Sequence, residues 1–234
     1  MILSVNTVAT SKMLAGVILL LCVAASSAFH AAVRDSKTVK VTVFYEAMDP
    51  VFKDFINNQF SPHWEQIEEG IEIELVPFGK TNVSVEQEPE PHLEFVCTRG
   101  EEECIANKLH ACVIKKMHAH KLKMVKVIKC LINKKDQMDG LPDCLDEIHI
   151  RPDAHKFIDC VNSPDTDYLV VNHGIRTQKM FPKKLDSLPK IVFNDLFNKR
   201  DHAQALTNFK KLICRIVFDL CEEKNIRREI TLQL

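Results

Sequence analysis

Cysteine is the residue type with the clearest chemical potential in this chain, which has nine cysteines among 234 residues. A thiolate can attack a disulfide, and two thiols can form one, so cysteines support either disulfide exchange or structural cross-links. Zinc binding is less favoured because no two of these cysteines have the Cys-x2-Cys spacing of a zinc knuckle. The sequence therefore predicts no metal site and no cofactor, and it directs attention to disulfides.

The N-terminal segment predicts the compartment in which these cysteines work. The apolar run Met13–Val23 follows Lys12 and precedes small residues at 24–28. This order is typical of a secretory signal peptide, and the run is shorter than the roughly 20 apolar residues of a membrane-spanning helix. We therefore predict a signal peptide at 1–28, a linker at 29–38 and a secreted, extracellular protein without a membrane span, with a lysosomal location as the alternative.

Removal of the signal peptide would leave an even number of cysteines, which suits up to four disulfides in an oxidising compartment. The spacing limits their pairing, because residues seven apart on a helix are separated by about 10 Å, beyond the reach of a disulfide. Cys214 and Cys221 are therefore expected to pair elsewhere, and the same argument disfavours a bond between Cys104 and Cys112. The structural disulfide candidates are Cys97, Cys104, Cys112, Cys130, Cys144, Cys160, Cys214 and Cys221.

Hydrophobic periodicity predicts the elements that position these residues. The alternating segment 39–45 is typical of a strand, and apolar residues three or four apart after Asp49 predict an amphipathic helix. Asp49 suits the N-cap of this helix, and Pro50 suits its first position. A second alternating segment follows at 71–78, and a right-handed β-α-β crossover would make the two strands parallel.

The rest of the chain completes an α/β fold, which we predict to be a thioredoxin-like domain over 39–222 with a helical, disulfide-rich insertion at about 101–160. Its expected parts are an acidic, proline-bearing loop at 83–95, the helical stretch, a strand after Leu188-Pro189, a last amphipathic helix at 202–222 and a C-terminal tail at 223–234.

The segment from Cys97 to Cys112 resembles the signature of the gamma-interferon-inducible lysosomal thiol reductase (GILT) family. Thr98 and Arg99 replace the glutamine and histidine of that signature. The resemblance spans roughly 39–221 and is strongest to secreted arthropod-type members. The matching positions are Cys97, Gly100, Glu103, Cys104, Asn107 and Cys112.

This resemblance implies a reductase scaffold whose redox site has changed. Family enzymes reduce protein disulfides with a Cys-x-x-Cys at the start of the first helix, where the helix N-terminus stabilises a thiolate. Asp49 and Phe52 occupy those two positions here, and neither can form or break an S–S bond. Pro189 matches the cis-proline that lies opposite the site in thioredoxin-like folds, where it either shapes a groove or only fixes the turn into the strand.

The resulting expectation is a protein that is not an enzyme and has no catalytic residues. It would act as a secreted binding protein, and the family suggests a role in immunity or at a host–pathogen boundary. The alternative is a thiol-disulfide oxidoreductase that acts through a noncanonical cysteine.

The charge pattern offers a candidate surface for a partner, either a protein or an anionic cell surface. The net charge of −1 excludes a polycation, yet 115–135 holds eight lysines and no acidic residue. The alternatives are a solvated helix face or neutralisation by the acidic loop. Nucleic acid is not expected, because no aromatic residues interleave with the lysines. The surface candidates are Lys115, Lys116, Lys121, Lys123, Lys126 and Lys129, and Asn82 is the predicted glycosylation site.

Overall fold

A computed structural model describes residues 38–88, 90–149, 154–183 and 185–217. The predicted signal peptide, most of the linker, the C-terminal tail and Cys221 lie outside the described residues.

A three-stranded sheet forms the centre of the fold. Its middle strand β1 (Val39–Tyr45) runs parallel to β2 (Ile71–Pro77) and antiparallel to β5 (Lys190–Phe193). Every residue of β1 except Lys40 is buried, as expected for a central strand that is covered on both faces. The predicted parallel β-α-β unit is confirmed.

The crossover between β1 and β2 is a chain of short helical turns and not one regular helix. It begins as α1 (Pro50–Asp54), widens into a π-helical turn at Phe55–Phe60, and continues through α2 (Trp64–Ile67), flanked by 3-10 turns at Ser61–His63 and Glu68–Gly70. Phe55, Ile56 and Phe60 are all buried. Their spacing of one and five residues suits the wider π turn, which explains why the regular helix is interrupted.

The last described helix, α8 (Lys199–Ile216), closes the core against this π-helical turn. Asn198 caps it by accepting hydrogen bonds from the backbone amides of Arg200 and Asp201. The buried ring of Phe209 lies 5.5 Å from that of Phe55 and 5.3 Å from that of Phe60.

The predicted helical block is confirmed and extends further along the chain than residue 160. Its helices are α3 (Glu101–Met117), α4 (Lys121–Leu131), α5 (Leu141–Glu147), α6 (His155–Val161) and α7 (Pro164–Met180). Disulfides join α3 to α6 through Cys112 and Cys160, and α4 to α5 through Cys130 and Cys144.

The prediction of a loop at 83–95 is wrong, because this segment contributes a two-stranded antiparallel hairpin of β3 (Asn82–Glu86) and β4 (His92–Val96). Val83 lies opposite Phe95, and Val85 opposite Leu93. These alternating apolar pairs stabilise the strands, while the many glutamates and prolines of the segment concealed the alternation.

Phe209→Ala is expected to destabilise the fold by about 3 to 5 kcal/mol, because it leaves a cavity between three packed aromatic rings. Urea denaturation followed by circular dichroism measures the loss. The control is Ile175→Ala, since Ile175 is largely exposed, and it is expected to change stability by less than about 0.5 kcal/mol. Equal effects of the two substitutions would contradict this account of the core.

Candidate functional site

The candidate site lies where β1 ends and α1 begins. Asp49 caps α1, because its Oδ1 accepts hydrogen bonds from the backbone amides of Val51 and Phe52, each at 2.9 Å. The side chain therefore retains the helix start at the position that the family resemblance assigns to the attacking cysteine.

Phe52, at the position that the family resemblance assigns to the second cysteine, is part of the core. Its ring is fully buried and stacks on Tyr45, with ring centroids 3.8 Å apart. The site surface is consequently formed by Asp49 and its neighbours, without Phe52.

Arg99 forms ion pairs with three carboxylates at this site. Its guanidinium lies 2.9 Å from an oxygen of Glu46, of Asp49 and of Glu103. The side chains of Glu46 and Glu103 are 1% and 0% exposed, whereas that of Arg99 is 32% exposed. One partly exposed cation thus compensates three carboxylates that have little access to water. We call these four residues the Arg99 cluster.

Further hydrogen bonds satisfy the carboxylates of the cluster. Glu46 Oε1 accepts from the Thr98 hydroxyl and from the Lys80 amide, each at 2.8 Å, and Glu103 accepts from the Arg99 amide at 2.9 Å. Burial raises the pKa of Glu103, and the negative charge of Glu46 raises it further, while Arg99 opposes the shift. Because formal charges sum to −2, the cluster favours cationic or neutral ligand groups close to it.

Two buried amide side chains form hydrogen bonds with the backbone of Ala47, two residues before Asp49. Asn107 Oδ1 accepts from the Ala47 amide at 2.8 Å, and Gln137 Nε2 donates to the Ala47 carbonyl at 3.0 Å. Asn107 is one of the signature residues. Its hydrogen bond gives that position a structural role, because it fixes the segment that leads into Asp49.

His110 extends this buried network. Its Nε2 lies 2.7 Å from Gln137 Oε1, and its Nδ1 lies 3.0 Å from the Tyr45 hydroxyl. Since Gln137 Oε1 can only accept, Nε2 carries the proton and Nδ1 accepts from Tyr45. Burial lowers the pKa of His110 to about 4, so the imidazole is neutral at pH 7.

The Cys97–Cys104 disulfide encloses the turn that carries Thr98 and Arg99. Gly100 lies in the same turn with a φ of 83°, a conformation that favours glycine, and it precedes α3. Both cysteines are close to fully buried, at 9% and 8% exposed. The signature cysteines and glycine therefore fix the position of Arg99.

The Leu188–Pro189 peptide bond is cis, and Pro189 immediately precedes β5. Because Lys190 pairs with Phe44 near the end of β1, Pro189 lies at the same end of the sheet as Asp49. Gly79 packs closely between Glu46 and Leu188. A Cβ at this position would lie 2.4 Å from Glu46 and 2.6 Å from Leu188, so a larger residue would not fit without a shift.

A cleft of about 260 Å³ opens beside the cluster, starting at Met48, the residue before Asp49. We call it the Met48 cleft. Its lining combines apolar with charged side chains. The lining residues are Met48, Lys53, Glu102, Ile105, Ala106, Ile132, Lys134, Lys135, Asp136, Gln137 and Met138.

The remaining predicted residues are not members of the Arg99 cluster. Asn82 is exposed at the start of β3. Cys104 and Cys112 share one continuous helix and bond to different partners, and Cys214 is also disulfide-bonded. The surface lysines are divided between two places, with Lys115 and Lys116 at the end of α3 and Lys121, Lys123, Lys126 and Lys129 on α4.

The sequence analysis missed Glu46, Lys80, His110 and Gln137 as parts of the site. One available signal was the presence of a new acid at 49 together with a new cation at 99. An acid and a cation that both depart from the family pattern suggest an ion pair.

The fold belongs to the thioredoxin-like class. The chain superimposes on DsbA from Chlamydia trachomatis with a TM-score of 0.53 and 15% identity, covering 80% of this chain and 87% of that one. BdbD from Bacillus subtilis gives a TM-score of 0.52 at 15% identity, covering 81% and 90%. The predicted fold class is confirmed.

The model of the family "Gamma interferon inducible lysosomal thiol reductase" matches residues 40–148. GILT-like protein 1 of Drosophila melanogaster is 30% identical over 220 residues, which cover 88% of this chain and 84% of that protein. A gamma-interferon-inducible lysosomal thiol reductase-like protein of Anopheles gambiae is 28% identical, covering 76% of each chain. The chain belongs to the GILT family.

This membership corrects the expectation that the chain is not an enzyme. The matching family is one of thiol reductases, and relatives such as that of Carassius auratus, 23% identical, are named as such. The replacement of two cysteines was therefore an insufficient basis for that expectation. Among the described residues, no helix is both long and apolar enough to cross a membrane.

Arg99→Gln is expected to lower the free energy of unfolding at pH 7 by about 3 kcal/mol, because it leaves buried carboxylates without their cation. The deficit should shrink as the pH falls towards 4, because burial raises the pKa of Glu103, which therefore binds a proton in the fold before it does in the unfolded chain. Urea denaturation at several pH values measures it. Arg99→Lys keeps one charge and should be intermediate; a deficit independent of pH would contradict this account.

The buried His110 is expected to make the protein less stable in acid. With a pKa of about 4 in the fold against 6.5 when unfolded, it should cost about 3 kcal/mol as the pH falls from 7 to 4. His110→Gln should flatten this part of the pH dependence, measured by thermal or urea denaturation. The exposed His118→Gln serves as the control and should leave the profile unchanged. An unaltered profile in His110→Gln would refute the assignment.

Proposed function

We propose that this GILT-family protein binds extended polypeptide segments at the Met48 cleft beside the Arg99 cluster. The observation that carries the proposal is that the Arg99 cluster lies at the start of α1, where the family resemblance implies the redox site, on an intact thioredoxin-like scaffold. The ligand class is that of the family, a polypeptide, and the contacts available are charged and apolar.

The binding surface is supported by hydrogen bonds, a helix cap and a disulfide that fix its residues in place. Ala47 is fixed through both its amide and its carbonyl, Asp49 through the helix cap and Arg99 through the Cys97–Cys104 cross-link. A preorganised surface loses little conformational entropy when it binds a ligand.

The cleft itself suits a peptide side chain. Its apolar lining residues include Ile105, which is 36% exposed, and Met48. Burial of an aliphatic side chain here would contribute about 1.5 to 3 kcal/mol. Backbone groups near Pro189 lie at the same end of the sheet, where the family resemblance implies contact with the substrate backbone.

Secretion through the predicted signal peptide is part of this proposal and is supported by the disulfide-rich fold. A role in immunity or at a host–pathogen boundary stays a prediction that rests on the family.

The second candidate function is thiol–disulfide exchange through Cys97 and Cys104, favoured by the family and by the position of their bond around the turn that carries Arg99, the partner of Asp49. In the reductive direction, the thiolate of one reduced cysteine would attack a substrate disulfide and release one substrate thiolate. The other cysteine would then displace the second substrate sulfur, which reforms the Cys97–Cys104 bond, and a low-molecular-weight thiol would reduce the pair again. This candidate ranks second because the carboxylates of the Arg99 cluster disfavour a nearby thiolate.

Ile105→Asp is expected to weaken peptide binding about tenfold or more, because it replaces an apolar side chain of the cleft lining by a charged one. The probe is fluorescein-labelled insulin B chain with carboxymethylated cysteines, followed by fluorescence anisotropy. The matched control is Leu196→Asp, since Leu196 is exposed at the opposite end of β5. Unchanged affinity in Ile105→Asp, or equal losses in both variants, would refute the proposed site.

The second candidate is tested by insulin reduction at pH 5 and pH 7 with dithiothreitol as the reductant. If Cys97 and Cys104 exchange disulfides, the wild-type protein should accelerate precipitation of insulin chains, and Cys97→Ser with Cys104→Ser should abolish the acceleration. The Cys130→Ser and Cys144→Ser pair controls for loss of a structural cross-link. Wild-type turnover no faster than dithiothreitol alone would reject this candidate.

A further inference from the structure

A second, strongly basic cleft lies on another part of the molecule. It has a volume of about 830 Å³ and is lined by Lys123, Lys126, Lys129 and Lys134, with Glu65 and Glu147 as its acidic residues. We call it the α4 cleft. Its four lysines outnumber its carboxylates two to one.

The lysines of α4 form a row because of helical geometry. Lys123, Lys126 and Lys129 recur every third residue, so neighbouring Cα atoms advance about 4.5 Å along the helix axis. The opposite face of α4 is buried through Val125 and Ile128, among others. Core packing therefore fixes the orientation of the helix and holds the lysine row towards the cleft.

The row has little internal charge compensation. Among the described residues, Lys123 and Lys129 form no ion pair, and the Lys126–Glu65 pair is long at 3.6 Å, with side chains 47% and 76% exposed. Such an exposed pair contributes little and can open readily. Lys134 pairs with Asp143. Within the described part of the chain, the ion pairs of the lysine-rich segment 115–135 thus involve Glu65 and Asp143, and not the glutamates of the β3–β4 hairpin.

We propose that the α4 cleft binds a sulfated polysaccharide. A linear polyanion with regularly placed sulfates can pair with successive ammonium groups along the row, and each contact needs only a point charge. The lining residues include no phenylalanine, tyrosine or tryptophan. A protein interface would be expected to bury such anchors, and a single-stranded nucleic acid would stack on them. The chemistry of the cleft therefore favours a glycan.

This site is independent of the proposed peptide site. Lys123, Lys126 and Lys129 do not line the Met48 cleft, whereas Lys134 lines both and is left unchanged in the test. Failure of one proposal therefore leaves the other intact.

The test measures binding of the full mature chain to heparin, as the sulfated probe, by isothermal titration calorimetry at two salt concentrations. Replacement of Lys123, Lys126 and Lys129 together by Gln should weaken binding about tenfold or more at about 0.15 M salt and reduce its salt dependence. The triple Arg variant at the same positions should retain binding. A control with the same loss of charge replaces the exposed Lys179, Lys199 and Lys211 by Gln and should bind as the wild type does.

Several outcomes would overturn the proposal. The first is a triple Gln variant that binds heparin as tightly as the wild type does. The second is an equal loss of heparin affinity in the control variant, and the third is a wild-type protein that binds N-desulfated heparin as tightly as heparin. Tighter binding of poly-glutamate than of heparin would also reject a glycan in favour of an acidic protein. Circular dichroism establishes folding of each variant, and if the triple Gln variant does not fold, the single Lys126→Gln variant, with an expected loss of about twofold to fivefold, decides.

Discussion

The burial of two glutamates beside Asp49 is the constraint on which the site depends. Glu46 and Glu103 are almost fully removed from water, and such carboxylates are costly unless a cation and hydrogen bonds compensate them. Arg99 is the cation of that cluster, and it contacts the end of β1, the cap of α1 and the first turn of α3 at once. The geometry of three separate segments is thereby tied to a single side chain.

This arrangement places charged side chains at the position that the family resemblance assigns to a redox-active cysteine. Asp49 preserves the helix cap, and Arg99, at the signature position of a histidine, supplies the compensating charge. The buried Phe52 fills its position by stacking on Tyr45. The chain nevertheless belongs to the GILT family and has a thioredoxin-like fold.

The sequence was sufficient for features that depend on local patterns and insufficient for those that depend on distant contacts. Alternation and helix caps predicted β1, β2, the Asp49 cap and the helical block, and a six-position signature identified the family. The hairpin was missed because its cross-strand pairs lie in an acidic, proline-rich segment. The cluster was missed because Arg99 and Glu46 are 53 residues apart. The disulfide partners likewise follow from helix packing, as the Cys112–Cys160 bond between α3 and α6 illustrates.

The small covalent ring closed by Cys97 and Cys104 has a consequence for biosynthesis. The ring spans a separation of seven residues and contains Arg99. A chain synthesised in a reducing cytosol would lack this tether, and its two buried glutamates would depend on an unrestrained arginine for neutralisation. Oxidation of Cys97 and Cys104 is therefore coupled to the electrostatics of the site, because the bond that closes the ring also restrains the turn that carries the counter-ion.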